Sequence, residues 1–470
     1  MSNARTRASF ALFFGNRGFF PETLIAGARA ELKEVVEGLG YGALLMEAGA
    51  TPHGAVESPA DGLKYAKFLE QHRGGYDGVI LCLPNFGDET GAVAALRDCG
   101  TPILIQAYPD EPGKMGFASR RDAFCGKFSI MDVFCQYGLP FTAFPPHTVH
   151  PRSQAFAVQL GRFAAVCRVV AGCRRMTVGA IGARTTAFKT VRFDELALQK
   201  HGITTEVIDL SEVILRVRQA PPSGPAQAEK ARRLREYTSW EGVPEEAFQT
   251  LVKLGVVLDE LAREYSMDAL ALRCWLELEK ELRVSPCVLL SEINDRGLPA
   301  ACELDVCNAV PMFALARASG RPATCLDWNN NYGEEEDKCI LFHCGPVPQS
   351  LMAGRGRVIE HPMFVKALGP GCAWGCNVGR IAAGPMTFSS SKTEDGRLNF
   401  YLGEGEFTGE SIDDDFFGCA GVARIDRLQA RLLAIGRGGY RHHVGVTAGH
   451  VGGALREAFT RYLGYGIDEP

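Results

Sequence analysis

The chain has 470 residues, 46% hydrophobic and 22% charged, with a formal net charge of −5, which suits a folded protein of two to four domains. The acidic balance offers no broad cationic field for nucleic acid or anionic membrane. No apolar run approaches the roughly 18–20 residues that span a bilayer, and the basic-then-apolar opening MSNARTRASFALFFG has no small-residue cleavage site, so it reads as no signal peptide.

Sixteen cysteines are spread from Cys82 to Cys419, and none has CxxC spacing; Cys372 and Cys376 come closest. That argues against a structural zinc or an iron–sulfur cluster, and a disulfide framework would imply secretion, for which the sequence reads no signal. The expectation is reduced, mostly buried thiols in a cytoplasmic protein.

Residues 9–15, SFALFFG, read as a strand. The stretch from Pro21 to Gly40 reads as a helix with proline at its start and glycines at its end. YGALLME is a second strand, and a second helix follows with Ser58 as N-cap. DGVILCLP and TPILIQAYP are two more apolar strands. Short apolar strands alternating with helices predict a parallel sheet covered on both faces, ending near residues 144–151.

The pattern then restarts. Residues 152–172 read as a helix, RMTVGAIGAR and TTEVIDL as strands, and residues 225–266 as charged helix. MDALALRCW, LPAACELD and PATCLDWN read as three further strands of the same parallel unit. After residue 335 the texture changes to short strands between turns, as in a β barrel. The fold class is therefore α/β: two doubly wound parallel-sheet domains (1–150 and 151–335) followed by a β-rich, barrel-like domain (336–470) that closes with a helix.

Glu303, Asp305 and Asp327 lie where predicted strands run out, the usual place for chemistry in open parallel sheets. Asp305 reads first as a helix cap. Consecutive strands would bring Glu303 and Asp327 together. His343 ends the apolar strand LFHCGP, and His442, His443 and His450 cluster in RHHVGVTAGH, read here as a loop entering the last helix. Carboxylate and imidazole donors suit Mn²⁺, with Mg²⁺, Co²⁺ and Fe²⁺ as competitors. The acidic run 334–337 reads as a solvated loop. Arg17 in a strand-end loop, Trp374 in GCAWGCN, and Lys189 with Arg192 after another strand end are candidates for holding substrate.

ACELDVCNAV, CLDWN and HHVGVTAGHVG together resemble L-fucose isomerase, within the wider L-fucose/L-arabinose isomerase group. A Glu followed two residues later by Asp, and a second carboxylate 24 residues after the Glu, match Glu303, Asp305 and Asp327. GNRGFFP resembles the family's opening loop. The resemblance implies a metal-dependent aldose–ketose isomerase acting on an open-chain sugar through an enediol. In it, Glu303 and Asp327 serve both metal binding and proton transfer, and His443 is a further ligand. It also implies a homo-oligomer, hexamer or trimer, in which the N-terminal domain of one subunit covers a neighbour's active site.

This chain departs from the pattern by placing His442 where an Asn is expected. His343, 16 residues after Asp327, follows the arabinose-isomerase arrangement and leaves three or four ligands open. L-Fucose, D-arabinose, L-arabinose and an anionic sugar such as sulfoquinovose all remain as substrates. The alternatives are a non-catalytic sugar-binding protein and a metal-dependent sugar epimerase or aldolase.

Overall fold

The structure is a computed structural model that describes residues 7–469; the basic opening, residues 1–6, lies outside them. The described residues up to Ala171 form one compact unit and those from Gly172 onward a second.

In the first unit, β1 (Ser9–Phe14), β2 (Gly42–Leu45), β3 (Gly78–Leu83) and β4 (Ile103–Ala107) form a parallel sheet in the order β2-β1-β3-β4. β1, β3 and β4 are apolar and almost wholly buried because helices cover both faces. Ser58 caps the helix Pro59–Gln71 as expected, its side chain accepting from the Asp61 amide at 3.3 Å. Among the described residues one helix, Gln154–Cys173, is long and apolar enough to cross a membrane. Yet 67% of its apolar window is buried inside the protein, as in a core helix. The run-based reading passed over it because Arg162 and Arg168 interrupt the apolar stretch.

The second unit opens with β5 (Met176–Ile181), β6 (Ile203–Ile208), β7 (Ala269–Leu272) and β8 (Ala300–Ala301), again all parallel, in the order β6-β5-β7-β8. LPAACELD contributes only Ala300 and Ala301 to the ladder. The chain must leave the sheet there, because Glu303 and Leu304 adopt left-handed backbone, φ 60° and 62°. Side chains disfavour that region by roughly 1–3 kcal/mol per residue.

Nine strands make the remaining sheet: β9 (Ala323–Asn331), β10 (Lys338–His343), β11 (Arg357–Glu360), β12 (Trp374–Arg380), β13 (Gly384–Glu394), β14 (Arg397–Phe407), β15 (Cys419–Arg424), β16 (His443–Ala448) and β17 (Gly466–Asp468). Their order is β11-β12-β15-β10-β9-β16-β13-β14-β17, and β14 also pairs with β15. Six of them therefore close a ring, β15-β10-β9-β16-β13-β14, with every neighbouring pair antiparallel. Leu326, Leu341, Met386, Phe388, Tyr401 and Val444 belong to its packed core.

Two expectations change here. PATCLDWN is not a strand of the parallel unit: as β9 it lies antiparallel between β10 and β16. HHVGVTAGH is not a loop: most of it is β16, which pairs with β9 and β13. In both cases the local pattern signals an apolar segment, while pairing is decided by residues distant in sequence.

Candidate active site

The second unit brings Glu303, Asp327, His343, His442 and His443 together, although they come from separate elements. Glu303 follows β8 directly, and the left-handed turn at 303–304 carries it out of the sheet. Its Oε1 accepts a hydrogen bond from Trp275 Nε1 at 3.0 Å, and its Oε2 lies 2.9 Å from His443 Nε2. Asp327 sits on β9 directly opposite His443 on β16. Its Oδ1 is 3.4 Å from His443 Nε2 and 3.7 Å from His442 Nε2. His343 ends β10, on the other side of β9, with its ring centroid 5.6 Å from that of His443.

Asp305 does more than cap a helix. Its Oδ1 accepts from the Asn308 amide at 3.1 Å at the start of helix Val306–Ser319 and pairs with Arg441. Its Oδ2 accepts from His443 Nδ1 at 2.8 Å. A carboxylate paired with arginine can only accept, so His443 Nδ1 carries a proton and Nε2 is directed toward Glu303 and Asp327.

The electrostatics separate the carboxyl groups. Burial alone would raise Glu303, but His443 and His343 outweigh it and hold the group below the usual carboxylate range. Burial raises Asp327 above its ordinary value despite the same two imidazoles. Burial would likewise raise Asp305, yet Arg441 and His443 hold it down. For His443, burial would lower the imidazole, but Cys325, Asp305 and Glu303 push it well above its ordinary range.

Asp327 Oδ1, His343 Nε2 and His443 Nε2 are buried and have no hydrogen-bond partner. The close approaches of Glu303 and Asp327 to His443 Nε2 are thus contacts without hydrogen-bond geometry. Orphaned buried polar atoms are rare and ask for a missing partner. Donors at 2.9 and 3.4 Å from one another are spaced like adjacent ligands of an octahedral divalent ion, whose edges are about 3 Å for bonds of 2.0–2.2 Å. Glu303, His442 and His443 also offer donor atoms within 4.8 Å of one another. The residues fit a divalent cation.

The other candidates are placed less centrally. Exposed Lys189 follows Phe188, whose ring stands 5.6 Å from Trp275 and from His442 and 5.9 Å from His443, walling the site. Arg192 offers its carbonyl to Arg441 at 3.3 Å. Trp374 opens β12, opposite Glu360 on β11 and bridged to Val284. No contact joins it to the carboxylates or to the clustered histidines among the described residues. In the first unit, Arg17 pairs with Glu89, donates to the Gly87 carbonyl at 2.9 Å and lies over the Phe86 ring at 4.4 Å. Phe19 beside it is 67% exposed. The acidic run 334–337 is exposed, and Glu335 pairs with Lys338.

Sequence reading missed Trp275, Arg441 and Phe188, which carry no motif, and the second role of Asp305. The adjacency of Arg441 to the histidine pair was the only available signal.

Residues 11–174 match the N-terminal domain of fucose/sulfoquinovose isomerases, and residues 341–469 match the C-terminal domain of L-fucose isomerase. His343, His442 and His443 fall within the second match; Glu303 and Asp327 lie between the two. A sulfoquinovose isomerase from Priestia aryabhattai is 26% identical over 398 residues, covering 82% of this chain and 84% of that protein. Sulfoquinovose isomerases from Alkalicoccus urumqiensis (24% over 291 residues, 60% of this chain and 63% of that one) and Clostridium sp. strain MSTE9 (25% over 255 residues, 54% and 56%) are also similar. With both of its end domains matched and a sulfoquinovose isomerase similar over 82% of its length, the chain belongs to the L-fucose isomerase-like family of aldose–ketose isomerases.

Proposed function

We propose that the protein interconverts an open-chain aldose and its ketose at a divalent-cation site formed by Glu303, Asp327 and His443, with His343 as a fourth donor. The observation that carries this reading is the convergence of three buried, unpartnered donor atoms beside Glu303. Mn²⁺ suits the mixed oxygen and nitrogen donors, and Mg²⁺, Co²⁺ or Fe²⁺ would compete. Bound there, a divalent ion supplies electrophilic polarisation of the two sugar oxygens.

The chain's own residues supply the proton traffic. Isomerisation moves a proton between C2 and C1 of the sugar through an enediol. Glu303 and Asp327 approach His443 from β8 and β9, so two carboxyl groups can serve the reacting carbons and their oxygens. Trp275 holds Glu303 in place, Asp305 fixes the His443 ring, and Phe188 with Trp275 walls the site. Lys189, Arg192 and His442 stand near enough to that wall to hold substrate hydroxyls or an anionic substituent, and Trp374 is kept as a sugar-stacking candidate.

The names of the similar isomerases favour sulfoquinovose, a sugar with an anionic sulfonate, over L-fucose or D-arabinose. We further propose a cytoplasmic homo-oligomer, hexamer or trimer, in which Arg17 of one subunit reaches a neighbour's site. The sixteen free thiols support a reducing compartment, and exposed Phe19 beside Arg17 supports burial against a second copy.

The test is a panel of aldoses containing sulfoquinovose, L-fucose, D-arabinose and L-arabinose, incubated with the protein and Mn²⁺ and followed by NMR. Ketose formation from the sulfonated sugar is expected. Conversion of none of them would overturn the isomerase reading.

A further inference from the structure

Behind the site lies a group of thiols that the isomerase reading does not use. Cys274 follows β7, Cys302 follows β8 and precedes Glu303, Cys344 follows His343, and Cys287 is the first residue of helix Cys287–Asp295. They form two close pairs. The Cys302 thiol donates to Cys274 Sγ at 3.2 Å, and the Cys287 thiol donates to Cys344 Sγ at 3.6 Å. The members differ in access: Cys274, Cys287 and Cys302 are buried, whereas Cys344 is half-buried. Cys344 also has an imidazole beside it, with its Sγ 3.2 Å from His343 Nδ1.

The geometry points to Cys344 as a peroxide-reactive thiol whose oxidised sulfur is closed by Cys287 into an intramolecular disulfide. The Cys344 sulfur attacks one peroxide oxygen and the O–O bond breaks. The products are Cys344–SOH and one water, with the thiol proton leaving on the departing oxygen. The Cys287 sulfur then attacks the Cys344 sulfur, the S–O bond breaks, and a second water leaves. The balance is two thiols and one H₂O₂ to one disulfide and two waters, the peroxide being the oxidant.

The closing motion is small, because the sulfurs need to approach by only about 1.5 Å to reach a bond of ~2.05 Å. Cys302 also lies within 4.8 Å of Cys344, but the Cys302 thiol is directed at Cys274 and the Cys287 thiol at Cys344, so Cys287 is the partner. The bond would tie the residue after His343 to the start of the helix Cys287–Asp295. This inference stands on the positions and access of the sulfurs and does not depend on the sugar reaction.

The full-length protein is titrated with hydrogen peroxide, its remaining thiols are alkylated, and its peptides are mapped by mass spectrometry without reduction. The expected result is a peptide pair linked through Cys287 and Cys344 that appears at lower peroxide than any other pair and disappears on adding dithiothreitol. In Cys287→Ser, dimedone should instead trap Cys344 as the sulfenic acid. The assignment is overturned if Cys344 stays alkylatable while exposed Cys125 and Cys135 are oxidised. It is equally overturned if Cys344 links to Cys302, or if Cys287→Ser gives no dimedone adduct. Mapping of the unmutated protein decides the matter even if the variant fails to fold.

Discussion

Asp305 Oδ2 accepts the proton of His443 Nδ1 at 2.8 Å while its other oxygen pairs with Arg441 and caps a helix. One buried carboxylate thus fixes a helix start, an arginine and the orientation of a site imidazole. Replacing it alters the ring rather than the donors themselves. In Asp305→Asn, Mn²⁺ affinity measured by equilibrium dialysis should fall about 10- to 100-fold. Far-UV circular dichroism must show that the variant still folds, because Arg441 loses its ionic partner. Unchanged affinity in a folded variant would mean that His443 needs no such orientation.

Glu303→Gln keeps an oxygen for Trp275 Nε1 and removes the base. Its turnover should drop by about 10²–10⁴ with little change in melting temperature. In D₂O the unmutated enzyme should place solvent deuterium at C1 of the ketose. Complete retention of the substrate's C2 hydrogen there would point to a hydride shift instead.

Chelation offers an independent check. Exhaustive EDTA treatment should abolish ketose formation and added Mn²⁺ should restore it, while His443→Ala should weaken Mn²⁺ binding. Full activity after chelation would remove the cation from the reaction.

Glu279 gives a pH signature of stability. It is buried, accepts from Ser285 Oγ at 3.0 Å, and has an unpartnered second oxygen; burial pushes its carboxyl up to about 8. Above its ordinary value of 4.5, the unfolded chain ionises the group while the folded chain keeps the proton. Its contribution is complete at acid pH and is lost as pH rises through about 8, with a slope of about 1.4 kcal/mol per pH unit. Urea midpoints between pH 5 and pH 8 should therefore fall less steeply in Glu279→Gln. Identical slopes in both proteins would dismiss Glu279 as the source.

Shared sites can be tested by mixing. Arg17→Ala subunits and Glu303→Gln subunits should each be impaired, and their mixed oligomers should regain activity. A fully active monomer in sedimentation, or mixtures that never recover, would leave each chain with a self-contained site.

The parallel sheets were legible because apolar strands between helices repeat a short-range pattern, and Ser58 announced its helix. Glu303 stands just past the end of β8 as expected, whereas Asp327 lies in the middle of β9, which belongs to another sheet than the parallel one. β16 reads locally as a loop because its glycines and polar Thr447 signal a turn, while its partners β9 and β13 are far away in sequence. The same limit hid the thiol pairs. Cys274 and Cys302, or Cys287 and Cys344, share no spacing motif, and only the convergence of β7, β8, β10 and a helix start joins them. Asp305 showed half its role, since a cap is a local signal and a bond to His443 is not.

The closed ring of six strands has a mechanical consequence. Asp327 and His443 are cross-strand neighbours, so the separation of their backbones is set by the ladder, and Asp327 has a ladder partner on each side, His443 and Phe342. A cation arriving there finds donors that are already ordered and need give up little freedom. The ring has no free edge at these strands from which fraying could spread. The two backbones therefore part only when this ladder opens, and the amide hydrogen of Trp328, which donates to the His442 carbonyl at 3.0 Å, should exchange with solvent slowly whether or not a cation is bound.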